Sequence, residues 1–269
     1  MAIAADAGPS SADGPIVKSG DDSLTIREIS ISDLRDCIAL GVKDFRSAPM
    51  YGMFFGAIYA AGGLTMTWVA FALGDYYLAY PAIMGFALFA PFASAGTYEI
   101  SRRLERGEPL SWNAVLGSVW ARSGMEFGWL ALVSLFTLII WLDLAVFVFL
   151  AFFGAHVPSL PDLVATVFTT PYGMAFLIVG NVVGAVIAFI VFSFTAVAPP
   201  LLADRNVDFV TALTTSVRAV RANPRTMIAW ALVIGMDLAL AFVTLFVGLI
   251  VILPILGHTT WHLYRKLID

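Results

Sequence analysis

The chain has 269 residues, of which 60% are hydrophobic and 13% are charged, with a mean hydropathy of +0.88 and a formal net charge of -4. An ordinary soluble domain is only about half apolar, so this composition excludes a soluble domain. It indicates that the protein lies in the lipid bilayer, which is therefore both its solvent and a partner. The small acidic surplus gives no reason to expect a nucleic-acid partner.

The N-terminal segment differs in composition from the rest. Residues 1–25 are rich in Ala, Gly, Ser and Asp, and they lack the basic start and apolar core of a signal peptide. We expect a disordered cytoplasmic tail there. Cys37 is the single cysteine, so no internal disulfide can form, and we expect an inert, half-buried thiol on the reducing side of the membrane.

Six long apolar stretches follow, and each has the length of a bilayer-spanning helix. They cover about 50–73, 77–103, 125–150, 172–203, 225–246 and 249–267. Short turns or loops join them in pairs. The sequence therefore predicts an all-α integral membrane protein, in which residues 26–269 form one domain of six transmembrane helices arranged as three hairpins.

The basic residues orient this arrangement in the membrane. All 15 Lys and Arg residues fall in segments that it places on one side. These segments lie before the first stretch, between the second and third, between the fourth and fifth, and at the end of the sixth. Because basic loops are retained in the cytoplasm, the N- and C-termini are both predicted to be cytoplasmic.

A short amphipathic segment precedes each predicted hairpin. Apolar residues recur there at helical spacing, with charged residues largely on the other side. The apolar positions are Leu34, Ile38, Val42 and Phe45 in the first segment, Trp112, Leu116, Val119 and Trp120 in the second, and Phe209, Leu213, Val217 and Val220 in the third. We expect three helices at the cytoplasmic interface, where apolar burial and basic side chains favour anionic lipid.

The sequence also contains an internal repeat. DCIALGVKDFRSAP at 36–49 aligns with TALTTSVRAVRANP at 211–224, and PFASAGTYEISRRL from Pro91 aligns with PILGHTTWHLYRKL from Pro254. The predicted unit is an interfacial helix followed by a hairpin, with copies at about 32–104, 110–203 and 206–267. Copies in the same orientation imply that the pseudo-symmetry axis relating them runs along the membrane normal. Such repeats occur in transporters and in other duplicated membrane folds.

Three polar residues fall in the middle or outer half of predicted spans, namely Asp143, Asn181 and Asp237. Ionisable groups are costly inside a bilayer and often mark functional sites. If the three converge, two carboxylates and an amide could hold a proton, a cation or an amine. The alternative is that each bonds to a neighbouring helix or lies near the outer surface.

A second group, Glu99, His258 and His262, lies near the cytoplasmic ends of the second and sixth predicted spans. The histidines are four residues apart and share a helix face, and Glu99 occupies the repeat position of His262. The group could bind a metal ion or relay protons. The alternative is that His262 and Glu99 pair across two hairpins at the membrane surface, since the sequence offers no third ligand beside the histidine pair.

Common signatures of catalysis are absent from the sequence. It contains no phosphate-binding loop, no HExxH, no GxSxG and no CxxC motif. We therefore predict no enzymatic activity and no bound cofactor.

Three segments resemble a known family. YEISRRLERGEP from Tyr98, TSVRAVRANP from Thr215 and LPILGHTTWHLYRKL from Leu253 are similar to the bacterial integral-membrane family catalogued as domain of unknown function 2189, over residues 30–267. The resemblance implies a multi-pass protein of the bacterial inner membrane. Some members carry the label cytochrome c oxidase, but three histidines cannot supply the ligands of a haem and copper centre.

These observations leave three functional hypotheses. The first is a non-catalytic accessory or assembly factor for other membrane components, with subunits of a respiratory complex among the candidate partners. The second is a small transporter or channel that uses the intramembrane acidic residues as a proton, cation or amine site. The third is a histidine-containing metal site.

Overall fold

The computed structural model describes residues 24–74, 76–122, 124–155 and 157–269. The predicted disordered tail lies outside the described residues except for its last two positions, and His156 also lies outside them. Within these ranges the protein is helical, and an isolated antiparallel β-pairing joins Ile26 to Ile268.

Thirteen α-helices occur in the described ranges. They are α1 (Ile31–Ser47), α2 (Pro49–Ala72), α3 (Tyr76–Phe86), α4 (Ala90–Ala93), α5 (Ala95–Arg106), α6 (Trp112–Arg122), α7 (Met125–Phe153), α8 (Leu160–Thr169), α9 (Pro171–Thr195), α10 (Ala198–Asp204), α11 (Phe209–Ala222), α12 (Pro224–Val243) and α13 (Leu249–Leu267). A 3-10 turn, Ala87–Phe89, separates α3 from α4. Proline opens α2, α9 and α12, where its missing amide costs no helical hydrogen bond.

Five segments are long and apolar enough to cross a membrane. They are Pro49–Ala72, Tyr76–Arg106, Met125–Phe153, Pro171–Asp204 and Pro224–Val243. These segments coincide with the first five spans predicted from the sequence. The second is irregular near Pro91, and the fourth is interrupted just before Pro199, because proline removes a backbone donor. The surface of α9 suits lipid, since only Gly173 and Gly184 are buried among its 25 residues.

The sixth predicted span is not among these five segments. α13 forms over Leu249–Leu267, but its second half, GHTTWHLYRKL, is polar. The preceding turn, 244–248, stops beside the middle of α2, where Phe246 packs against Gly63. Gly63 is 14 residues from the start of α2, or ~21 Å at a helical rise of ~1.5 Å per residue. The prediction of six spans is therefore not confirmed.

The short helices α1 and α11 bury small residues, and their contact faces are turned by about one position from the predicted apolar stripes. The buried residues include Cys37, Gly41 and Asp44 on α1 and Ala212, Ser216 and Ala219 on α11. α1 packs along α13, and α11 packs along α9 and α10. Small side chains let helix backbones approach closely, which larger side chains would prevent. These faces contact protein, and the prediction of amphipathic helices lying on lipid is not confirmed.

The largest hydrophobic core lies where α10, α11, the first turns of α12 and the second half of α13 meet. Its largest fully buried side chains are Trp230, Trp261 and Tyr264. Residues 24–29 close this core through Asn223, which accepts a hydrogen bond from the Ile29 amide at 2.7 Å and donates one to the Arg27 carbonyl at 3.0 Å. The core thus lies at the end of the molecule that carries the basic segments.

Candidate functional site

A buried polar cluster lies where α1, α5 and α13 meet. α1 and α13 approach so closely that a Cβ atom at Gly41 would lie 2.8 Å from the amide nitrogen of Thr259. α5 packs against both helices. The side chains brought together, which we call the inner polar cluster, are Asp44, Ser101, His258 and His262.

Hydrogen bonds connect these four side chains in series. His262 Nε2 lies 2.7 Å from Asp44 Oδ2, and the Ser101 hydroxyl lies 2.7 Å from the same oxygen. Ser101 Oγ also lies 2.7 Å from His258 Nδ1. His262 is the partly exposed end of the series, with 14% of its side chain accessible, whereas Ser101 and His258 are fully buried.

The charge state of Asp44 sets the direction of these bonds. Burial raises the pKa of Asp44, but hydrogen bonds from His262 and Ser101 outweigh it, so the pKa lies below its usual value. An ionised carboxylate can only accept, so the Ser101 hydroxyl donates to Asp44. Ser101 Oγ then accepts from His258, which places the proton of that neutral imidazole on Nδ1.

His258 keeps one ring nitrogen without a partner. Its Nε2 atom is buried and makes no hydrogen bond to the described residues, and the buried hydroxyl of Thr259 is also unpaired there. Burial lowers the pKa of His258 to about 4, although the charge of Asp44 acts in the opposite direction. The ring is therefore neutral at pH 7. A buried acceptor without a donor costs about 1–3 kcal/mol, so the lone pair on Nε2 is costly to maintain.

The cluster has the residue types of a Ser-His-Asp triad but not its order. In a triad the histidine stands between serine and aspartate, where it removes the hydroxyl proton. Here Ser101 stands between Asp44 and His258 and donates its own proton to the carboxylate. Ser101 is 0% exposed, so its oxygen is closed to a substrate in this conformation. The geometry favours holding a proton over nucleophilic attack.

Glu99 belongs to a separate ion-paired group. Arg102 and Arg103 on its own helix each approach its carboxylate to 2.7 Å. His262, which the sequence suggests as a partner for Glu99, pairs with Asp44 instead. Among the described residues, no group of three or more His, Cys, Asp or Glu side chains is placed to hold a metal ion.

The three outer candidates lie on different helices. Asn181 on α9 accepts a hydrogen bond from the Tyr80 hydroxyl at 2.8 Å and donates one to the Leu177 carbonyl. Asp143 is exposed on α7, and Asp237 is half-buried on α12. In the part of the chain that the structure describes, no hydrogen bond joins any two of the three.

Asp44 and Ser101 are absent from the candidates that the sequence suggests. The sequence places Asp44 on the polar side of an amphipathic helix, and nothing near Ser101 distinguishes it. Spacing is the available signal, because Cys37, Gly41 and Asp44 are four and three residues apart and share a helix face. A carboxylate on a face of small residues indicates contact with another helix.

Comparison with known proteins supports the resemblance for YEISRRLERGEP, and the other two segments that suggest it lie outside the matched region. Residues 79–204 match the family model described as a predicted integral membrane protein, domain of unknown function 2189. The matched segment, 126 of the 269 residues, is similar to that family. The family segment contains Glu99, Ser101, Asp143 and Asn181, whereas Asp44, Asp237 and both histidines of the cluster lie outside it. No curated protein and no solved structure matches the chain.

Proposed function

We propose that this protein is a non-catalytic accessory or assembly factor that binds other membrane proteins within the bacterial inner membrane. The observation that carries this proposal is Asp143, a carboxylate inside a membrane span and exposed on the surface of the helix bundle. Subunits of a respiratory complex are one class of partner.

The depth of Asp143 supports a place in the hydrocarbon region. It lies 18 residues from the start of α7 and 10 residues from its end, or ~27 and ~15 Å at ~1.5 Å per residue. The hydrocarbon layer is about 30 Å thick and α7 is about 43 Å long, so a centred α7 extends only about 6 Å beyond the layer at each end. Asp143 is therefore well inside the layer.

Asp143 shares its helix face with large apolar side chains that are exposed in the same way. These side chains are Phe136, Ile139, Ile140, Phe147 and Leu150. An apolar stripe alone requires only lipid. A carboxylate in the stripe costs about 2.5–3.5 kcal/mol near the centre of a spanning helix, and lipid tails offer it no donor. A neighbouring helix that presents a basic or hydrogen-bond-donating side chain would remove this cost.

Co-purification tests the proposal. The wild type, Asp143→Asn and Asp237→Asn would be isolated in a mild detergent and their associated membrane proteins identified. The amide keeps the size of the side chain and removes its charge. We expect Asp143→Asn to lose partner proteins. Asp237→Asn is the matched control, because it makes the same change at another intramembrane acid, and it should retain them. Repeated recovery of the wild type alone would overturn the proposal.

Photo-crosslinking gives an independent measurement. A photoreactive residue at Phe147 lies one helical turn from Asp143 on the same face, whereas one at Val182 lies on the exposed surface of α9. We expect Phe147 to yield specific protein adducts in intact membranes and Val182 to yield mainly lipid adducts. The same adducts from both positions would argue against a surface centred on Asp143.

A small transporter or channel is the second candidate. The inner polar cluster favours it, because that cluster contains a buried imidazole nitrogen with a bare lone pair. Unchanged ion flux and proton uptake by Asp237→Asn protein in reconstituted vesicles would remove the version that uses Asp143, Asn181 and Asp237. The metal hypothesis is tested by metal analysis of the purified wild type beside His258→Ala.

We also infer three hairpins with both termini in the cytoplasm. The pairing of Ile26 with Ile268 supports this, because it places the two ends of the domain on one side and so requires an even number of crossings. α13 would then return the chain to the starting side.

The internal repeat is supported by its matched junctions, since Ala48 (φ -142°, ψ 53°) and Asn223 (φ -126°, ψ 50°) share a backbone conformation.

A further inference from the structure

We propose that the inner polar cluster binds one exchangeable proton from the cytoplasmic side, and that a second proton opens the contact between α1, α5 and α13. The ligand is the proton itself, and His262 is its point of entry because it is the partly exposed end of the cluster. This site uses none of the residues that carry the proposed association with membrane proteins.

The cluster has one carboxylate for two imidazoles. Asp44 contacts His262 directly at 2.7 Å and reaches His258 only through Ser101. A proton on His262 therefore forms an ion pair at the partly exposed end, where little solvation is lost. This contact joins α13 to α1.

The other charged groups on the surrounding helices have partners of their own or are exposed. The pairs are Glu99 with Arg102 and Arg103, Glu105 with Arg265, Asp204 with Tyr264 and Arg265, and Lys266 with Asp33 and Asp36. The exposed groups on α1 are Arg35, Lys43 and Arg46. α2 has no charged residue, and α12 has Arg225 in its first turn and Asp237 deep in its span. Asp44 is therefore the carboxylate that serves both histidines.

A second proton has to occupy the buried ring. It would bind Nε2 of His258, while the charge of Asp44 already neutralises His262. Burying a charge without its own counter-charge is strongly unfavourable. The backbone of Thr97 favours the protonated ring, but burial outweighs it. Separation of α1, α5 and α13 admits water to the ring and relieves this cost.

NMR of protein labelled with ¹⁵N-histidine in lipid nanodiscs tests the site. The sequence has three histidines, so His156→Gln leaves only the two signals of the cluster. At neutral pH we expect His258 as the Nδ1–H tautomer with a bare Nε2. On acidification, His258 should gain a second ring proton, on Nε2. Amide exchange in residues 37–44 should then rise more than tenfold only when His258 gains its proton.

Two variants separate a proton site from a merely structural contact. Asp44→Asn introduces an amide that can donate a hydrogen bond to Ser101 Oγ. The Ser101 hydroxyl then donates to Nδ1 of His258, so the proton of the neutral ring moves to Nε2. Ser101→Ala is the matched control, because it disconnects His258 and leaves the Asp44–His262 pair intact. We expect a switched tautomer in the first variant and a mixed one in the second. An Nε2–H tautomer in the wild type, or protonation of His258 without increased exchange, would overturn the proposal.

Discussion

Gly41 and Thr259 bring the backbones of α1 and α13 into contact. A Cβ atom at position 41 would lie 2.8 Å from the Thr259 nitrogen and 3.0 Å from its Cα atom. These are main-chain atoms, so one helix must move to admit a methyl group. We expect Gly41→Ala to destabilise the protein by about 1–3 kcal/mol, measured by thermal unfolding in mild detergent. Gly180→Ala is the control, because nothing lies within 4 Å of its Cβ position. Equal stability of the two variants would contradict the close contact.

Cys37 should be nearly inert in the folded protein. It is 0% exposed on the face of α1 that contacts α13, and burial raises its pKa to about 11. Because the thiolate is the reactive form, maleimide labelling at pH 7.5 should be slow until the protein unfolds. Gly41→Ala should accelerate it, since both residues lie in one helix contact. Rapid, complete labelling of the native wild type would contradict this prediction.

Acid should destabilise the protein through His258. The pKa of this group falls from 6.5 to about 4 on folding, so the unfolded chain binds more protons between these values. Stability is therefore complete above pH 6.5 and falls as the pH drops towards 4, by a total of roughly 3 kcal/mol. Protonation of Asp44 also destabilises the folded protein below pH 3.8, since folding lowers its pKa. The Tm measured from pH 7.5 to 4 should show this decline, and His258→Gln should remove most of it.

Asn223 should hold the segment 24–29 on the core. Its side chain bonds to the Ile29 amide and the Arg27 carbonyl, and Asn223→Ala leaves both groups unpaired. We expect a loss of about 1–3 kcal/mol and faster amide exchange in this segment. Asn113→Ala, at an exposed position on α6, is the control and should change neither quantity. Unaltered exchange in Asn223→Ala would show that the segment is held by other contacts.

The turn 244–248 should be embedded in lipid. Its backbone amides all donate hydrogen bonds within 240–248, and its outward-facing side chains, Leu245 and Val247, are apolar. Such a turn leaves none of its backbone amides in need of water. In a Cys37→Ser background, Val247→Cys should resist a membrane-impermeant maleimide in intact vesicles, whereas Leu73→Cys beside Gly74 should react from the outer side. Equal labelling would place both turns at the surface and favour six full spans.

Much of the helical framework follows from the sequence. Pro49, Pro171 and Pro224 mark helix starts, and long apolar runs give five segments of spanning length with errors of a few residues. Apolar runs are informative because lipid demands internally bonded backbone, which leaves few alternatives to helices. α13 is the exception, since its apolar half is short and its position depends on packing against α1, α2 and α5.

The sequence predicts only in part which face of each helix is buried. The apolar stripes predicted for α1 and α11 are displaced from the faces that they bury, because the contacts select small residues such as Gly41 and Ser216. Hydrophobicity does not rank glycine or serine as contact residues. For the same reason hydrophobicity does not identify Asp44 as a contact residue, because its neighbours on the contact face are small.

The sequence by itself determined the class of protein, the positions of its polar residues along each helix and the uneven distribution of its basic residues, because these depend on composition and spacing along one chain. Only the tertiary structure decided which polar groups meet. His262 and Glu99 occupy equivalent positions in the predicted repeat, yet His262 binds Asp44 and Glu99 binds two arginines of its own helix. Hydrogen bonding acts over about 3 Å, so it depends on rotations and approaches of helices that a one-dimensional pattern does not contain.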